Sequence, residues 1–287
     1  MKITYENENI ILEDVIDFNL KHIFECGQCF RWNAIDENTY TGVAKGRALR
    51  INQDGNVVTF FDTSPDDFNN IWYDYFDFSR DYSKIKDKLS EDDGLKTAIP
   101  FGDGIRILKQ DLWETVVSFI ISASNNIPRI KKIVELLCEN FGKKISYCGK
   151  TYYSFPDFNT LSELSVSDLG VIRAGFRDKY IKAAADAFSS GEISSELLFS
   201  LDTKNAKKKL MSMYGIGSKV ADCILLFGLS RTDSFPVDVW VKRIMETLYL
   251  DHETKNADIE KFALSRFGEY SGLAQQYLFF YARENLR

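Results

Sequence analysis

Along the first 60 or so residues, apolar and polar positions alternate in short bursts. "FRWNAI", "TYTGVA", "ALRIN" and "NVVTFF" are rich in aromatic and β-branched residues and are separated by turn signals such as "NQDGN". This is the pattern of short antiparallel strands with one face against a core. From about Asp66 the period lengthens to that of a helix and stays helical to the end. "LWETVVSFIISAS" (112–124) is apolar almost all round, which predicts a buried central helix. In "PRIKKIVELLCENFG", Pro128 stands at a helix-entry position, Ile130, Val134, Leu137 and Phe141 share a face, and Gly142 ends the run. Further helices are predicted at about 160–174, 177–188, 203–213, 218–229, 239–249, 256–267 and 270–284, with a polar, tyrosine-rich connection over 143–158. The fold class is therefore α+β: an antiparallel, β-rich N-terminal domain (1–108) and a larger helical domain (109–287).

Composition narrows the chemistry. A chain of 287 residues with 45% hydrophobic content has the size and make-up of a two-domain globular protein. No apolar run approaches the ~20 residues of a membrane span, and "MKITYENENI" lacks the apolar core of a signal peptide, so a cytoplasmic location without a membrane partner is expected. Five widely spread cysteines point to free thiols. "CGQC" (26–29) has no second pair beside it and reads as two small buried residues; neither a metal nor another cofactor is expected. Two histidines, His22 and His252, leave little room for His-based triads.

The net charge of −6 argues against nucleic acid only if it is spread evenly. It is not: residues 61–100 hold ten acids against five bases, whereas 204–219 hold five lysines and no acid. Alone, that lysine run reads as a solvated helix face. It borders "MYGIGSKVADCILLFGL", a glycine turn between two helices. Gly215 and Gly217 let the backbone take positive φ, and the turn's amides with the positive end of the second helix would bind a phosphate without a basic side chain. A plain helical corner explains the glycines equally well.

Lys219 and Asp238 shift the balance. A cation in the first turn of a helix opposes the dipole, and the same field lowers the amine's pKa. Near ~10.4 only about one lysine in a few thousand is neutral at pH 7; near ~8, about a tenth would be, which makes a usable nucleophile. Asp238, after Pro236-Val237, reads as the N-cap of the next helix, its carboxylate kept ionised by the dipole. Cys223 lies four residues after Lys219 on one helix face, and Gln275 and Phe279 share a face near the C-terminus. Simple capping for Asp238 and core packing for Phe279 are the plain alternatives.

These residues carry a resemblance. "YGIGSKVADCILLFGLSRTDSFPVDVWV" resembles the helix-hairpin-helix/Gly-Pro-Asp signature of base-excision DNA glycosylases, in particular the 8-oxoguanine DNA glycosylase/AP lyases. "CGQCFRW", "SASNNIPRI", "AGFRDKYI" and "LAQQYLFF" fit the same family in order along nearly the whole chain. The resemblance implies a TATA-binding-protein-like sheet before a helix-hairpin-helix domain, and a monomer acting on duplex DNA that contains oxidised guanine. It implies Lys219 as a nucleophile forming a Schiff base, with Asp238 stabilising the developing charge. It further implies Cys223 and Phe279 around the flipped base, Gln275 on its Watson–Crick edge, and the Gly27 carbonyl on N7–H. Asn125, Arg129 and Arg177 match positions that fill the vacated stack or meet the orphaned cytosine, Phe176 matches an aromatic wedge, and Gly215 and Gly217 match the DNA-gripping turn. It places the protein on the nucleoid of a bacterium or archaeon.

Three departures qualify the match. Trp240 stands where many eukaryotic members have a histidine near the base and its 5′-phosphate, Ala282 replaces a carboxylate, and Ser124 replaces the first of three asparagines. Looser selectivity for the opposite base is therefore expected; excision rates opposite all four bases would check it. An alkylpurine glycosylase of the same fold, or a DNA-binding module without catalysis, are the alternatives.

Overall fold

The computed structural model describes residues 1–286. Its chain begins with two strands beyond those predicted, β1 (Lys2–Glu6) and β2 (Asn9–Glu13), joined by a tight turn in which Asn7 and Glu8 both take positive φ. A six-residue helix, α1 (Leu20–Glu25), follows, capped by the Asn19 side chain. The predicted strands are β3 (Trp32–Ala34), β4 (Thr39–Ala44), β5 (Arg47–Asp54) and β6 (Val57–Phe61). The six form one antiparallel sheet in the order β1-β2-β6-β5-β4-β3, with Trp32 opposite Gly42 and Ile51 opposite Phe60.

Alternate strand residues face a core that also takes in α1: Ile10, Leu12, Leu49, Ile51, Val58 and Phe60 meet Ile23, Phe24, Trp72 and Phe76. Phe24 stacks on Trp32 at 4.2 Å between ring centres, which fixes the chain between them. That intervening stretch is "CGQC". The helices α2 (Tyr82–Leu89) and α3 (Leu95–Phe101) pack into a second core with the helical region.

The central helix α4 (Leu112–Ser122) is buried on nearly every side, as its all-round apolar sequence requires. The next, α5 (Ile127–Phe141), opens on an Asn126 cap with Pro128 in its first turn and closes at Gly142. The 143–158 connection holds a hairpin, β7 (Lys144–Tyr147) and β8 (Lys150–Tyr153), turned by Cys148 and Gly149 at positive φ. It docks on the sheet through Tyr147, whose hydroxyl donates to the Phe61 carbonyl at 2.6 Å and accepts from the Arg50 N–H at 2.9 Å. The helix predicted over 160–174 is broken into Phe158–Ser162 and a 3-10 turn, Asp168–Ile172. Between them the Ser165 N–H and hydroxyl bond the Asp168 carboxylate, giving the backbone a competing partner.

The remaining helices are α6 (Asp178–Ser189), α7 (Thr203–Met211), α8 (Ser218–Gly228), α9 (Val239–Met245), α10 (Asn256–Phe267) and α11 (Ser271–Asn285). A short helix, Ser195–Ser200, lies outside the predicted set. No helix among the described residues is long and apolar enough to cross a membrane.

Candidate active site

Between α7 and α8 the chain turns through "SMYGIG". Gly215 has φ +90°, and a Cβ there would stand 2.3 Å from the Tyr180 ring, so no other residue fits. Gly217 corrects the expectation for this turn. Its φ is −92° and ψ 177°, ordinary extended backbone at the N-cap of α8, and nothing lies within 4 Å of a Cβ placed on it. Openness, not positive φ, is what it contributes: Gly217 is exposed and makes no side-chain cap to α8, which leaves the first N–H groups of that helix without a cap.

Lys219 sits half-buried in that first turn, its Nζ 5.3 Å from the centre of the Phe119 ring. Among the described residues no carboxylate lies within the 4.0 Å of an ion pair with it. Asp238 is the N-cap of α9, and its Oδ1 accepts the N–H of Trp240 at 3.0 Å and of Val241 at 2.8 Å. Its pKa departs in direction from what the helix dipole alone would give. Burial raises its pKa above the ordinary aspartate value, outweighing the Val241 N–H, the Lys219 charge and the Trp240 N–H, which all act the other way.

Both residues line one recess together with Cys223, Gln275, Phe279 and Gly27. Cys223 is one turn along from Lys219, and burial pushes its thiol up to about 11, so it is neutral. Gln275 is buried and Phe279 half-buried, one turn apart on α11. Gly27 takes φ +78°, and a Cβ there would lie 3.1 Å from the edge of Phe279. Cys26 and Cys29 are both buried free thiols, the reading given for an isolated pair.

Three supporting residues carry no role in the sequence reading. Gln28 is wholly buried: its Nε2 donates to the carbonyls of Ile23 at 2.9 Å and Arg106 at 2.7 Å, and its Oε1 accepts from the Leu108 N–H at 2.9 Å. It fixes the turn that presents Gly27. Its position inside "CGQC" is the one signal that could have flagged it. Phe119 of α4 and Gln276 of α11 also line the recess, and only tertiary packing reveals either.

Comparison with known proteins identifies the family. The family profile for the 8-oxoguanine DNA glycosylase N-terminal domain matches residues 10–116, and that for HhH-GPD superfamily base excision DNA repair proteins matches 117–269. The structure of MBOgg1 in complex with a low-affinity DNA ligand superposes with a TM-score of 0.97 at 48% identity, over 100% of this chain and 99% of that one. The chain belongs to the 8-oxoguanine DNA glycosylase family. The Clostridium acetobutylicum 8-oxoguanine glycosylase/lyase, in complex with dsDNA containing cytosine opposite 8-oxoG, is 42% identical with a TM-score of 0.97, covering 100% of this chain and 99% of its own. Arabidopsis thaliana N-glycosylase/DNA lyase OGG1 is 29% identical over 92% of this chain and 77% of its own.

In this member of the family the recess opens onto a groove that also takes in Asn125 and Trp240. Trp240 lies on the groove and not in the recess, with the Arg243 guanidinium 5.1 Å from its ring. Asn125 donates to the Ile121 carbonyl at 3.0 Å, and Arg129 is exposed one turn into α5. Phe176 is 53% exposed. Arg177 departs from the expectation of a DNA-facing side chain, being only 3% exposed. It donates to the carbonyls of Ala123 at 3.0 Å, Ala174 at 3.1 Å and Ser124 at 3.1 Å. The reason lies in the bend it meets: Ser124 takes φ +50° just past the end of α4, and the carbonyls there need a buried donor.

Proposed function

We propose that this protein excises 8-oxoguanine from duplex DNA and then cuts the abasic strand. The observation that best supports this is an amine without an ion-pair partner among the described residues and a capping carboxylate in one recess, beside a turn that leads into an uncapped helix start. The turn at Gly215–Gly217 holds a backbone phosphate, and the damaged nucleotide swings out of the stack into the recess. Phe279 and Cys223 take the faces of the base, Gln275 its Watson–Crick edge, and the Gly27 carbonyl accepts the N7–H that 8-oxoguanine has and guanine lacks. Asn125 fills the gap, Phe176 wedges the duplex, and Arg129 faces the opposite strand. Trp240 stands toward the neighbouring 5′-phosphate.

The chemistry follows from one nitrogen. The neutral Lys219 amine attacks C1′ as the glycosidic C–N bond breaks; the base departs with the electron pair and takes up a proton, and the nitrogen gives one up. Asp238 stabilises the oxocarbenium-like charge on the sugar. Opening of the sugar ring then leaves a Schiff base. Loss of a C2′ proton expels the 3′-phosphate by β-elimination, and hydrolysis frees the lysine. Glycosylase and lyase activities thus share a nucleophile. We place the enzyme in the cytoplasm, on the nucleoid, acting as a monomer. Incubation with an 8-oxoguanine duplex tests the reading: released base and a cut strand are expected, and intact substrate would refute it.

A further inference from the structure

Gln276 follows Gln275 on α11 and is 3% exposed. Its Nε2 donates to the Gln275 Oε1 at 2.7 Å, while its own Oε1 is buried without a hydrogen-bond partner among the described residues. Both residues line the recess that holds Lys219 and Cys223. A buried carbonyl oxygen left unpaired is unfavourable, and it favours whichever ligand brings it a donor.

We propose that Gln276 determines base specificity, its Oε1 accepting the 2-amino group of the flipped oxidised guanine. The inference rests on the proposed function and deepens it. Gln276 Nε2 takes one lone pair of the Gln275 oxygen, which leaves the Gln275 amide nitrogen and the Gln276 oxygen as the groups without a partner among the described residues. That set complements the O6 acceptor and the 2-amino donor on a guanine edge. An adenine-type edge has no 2-amino group and leaves the Gln276 oxygen unpaired. The substrate class is therefore oxidised guanines that keep the 2-amino group, with Gln276 adding to what Gln275 reads.

The test uses duplexes with 8-oxoguanine or 8-oxohypoxanthine opposite cytosine; the second base lacks only the 2-amino group. Single-turnover excision is measured for wild type and Gln276→Leu, which keeps the bulk and removes the acceptor. Wild type should remove 8-oxoguanine about tenfold to a hundredfold faster than 8-oxohypoxanthine. In Q276L that ratio should fall by about tenfold: loss of the Nε2 donor to Gln275 slows both substrates, and loss of the acceptor slows 8-oxoguanine further. A loosened fold would slow both substrates and leave the ratio unchanged. Equal wild-type rates, a preference for 8-oxohypoxanthine, or an unchanged ratio in Q276L would overturn the assignment; the first two need no variant. A wild type that releases neither base overturns the proposed function itself, and the inference with it.

Discussion

Arg177 holds Ala123 from across the helical domain: its Nε donates to the Ala123 carbonyl at 3.0 Å, and its guanidinium lies 4.3 Å from the centre of the Phe176 ring. One buried cation thus ties the bend before Asn125 to the turn that exposes Phe176. Arg177→Ala leaves the carbonyls of Ala123, Ala174 and Ser124 without their donor, and hydrogen bonds to charged groups are worth about 1.5–3 kcal/mol each. We expect a loss of about 3 kcal/mol in denaturant unfolding, with weaker duplex binding. Wild-type stability would show the guanidinium to be dispensable.

Asp238 serves both fold and chemistry, and the two roles separate on substitution. Asparagine can still accept the N–H groups of Trp240 and Val241, and it caps helices about as well as aspartate. Asp238→Asn should therefore unfold within ~0.5 kcal/mol of wild type. Without the negative charge, single-turnover excision should slow by about a hundredfold or more. A thermal melt beside a rate measurement checks both halves.

The two glycines of the hairpin should fail in opposite ways. Gly215→Ala forces a methyl to within 2.3 Å of the Tyr180 ring at φ +90°, so stability should drop by about 2 kcal/mol or more. Gly217→Ser meets open space and supplies a better cap for α8, so stability should hold or rise slightly. The new hydroxyl takes a first-turn N–H otherwise left for a phosphate, and duplex affinity should fall several-fold. Calorimetry paired with a binding titration distinguishes the two.

Asp222 sets a pH dependence of stability. It is 2% exposed, faces Lys207 Nζ at 2.8 Å and Ser218 Oγ at 3.5 Å, and shares the lysine with Glu260. Burial, above all, pushes its pKa from 3.8 up to about 7, against the pull of Lys207 and with a further push from Glu260. Between those values the folded state keeps a proton that the unfolded chain gives up. The stabilisation is full at acid pH and is lost as pH rises through about 7. The wild-type melting temperature should fall between about pH 4 and about pH 7, and Asp222→Asn should flatten that slope.

How much of this was legible in the sequence depended on whether the signal was local. The apolar surround of 112–124 and the single face from Pro128 to Phe141 are properties of short windows, and both helices formed there, the first ending two residues early at Ser122. The hairpin at 144–153 was hidden because its turn is Cys148-Gly149 instead of Asn-Gly, and its strands are anchored by Tyr147 reaching Phe61 of the sheet. At the site, helical spacing was enough to pair Lys219 with Cys223 and Gln275 with Phe279. It could not show that Arg177 turns inward, since that depends on carbonyls at Ala123 and Ser124, more than fifty residues away in sequence. Nor could it show that burial would outweigh the helix dipole at Asp238. Gln276 was invisible for a third reason: spacing places it on a face adjoining that of Gln275, and only the folded recess brings both amides to one wall.

The most direct measurement is borohydride reduction during reaction with an 8-oxoguanine duplex, followed by peptide mapping of the protein–DNA adduct. A single covalent link at Lys219, absent from Lys219→Gln, is predicted. An adduct on another residue, or undiminished trapping in the Gln variant, would contradict the assignment of the nucleophile.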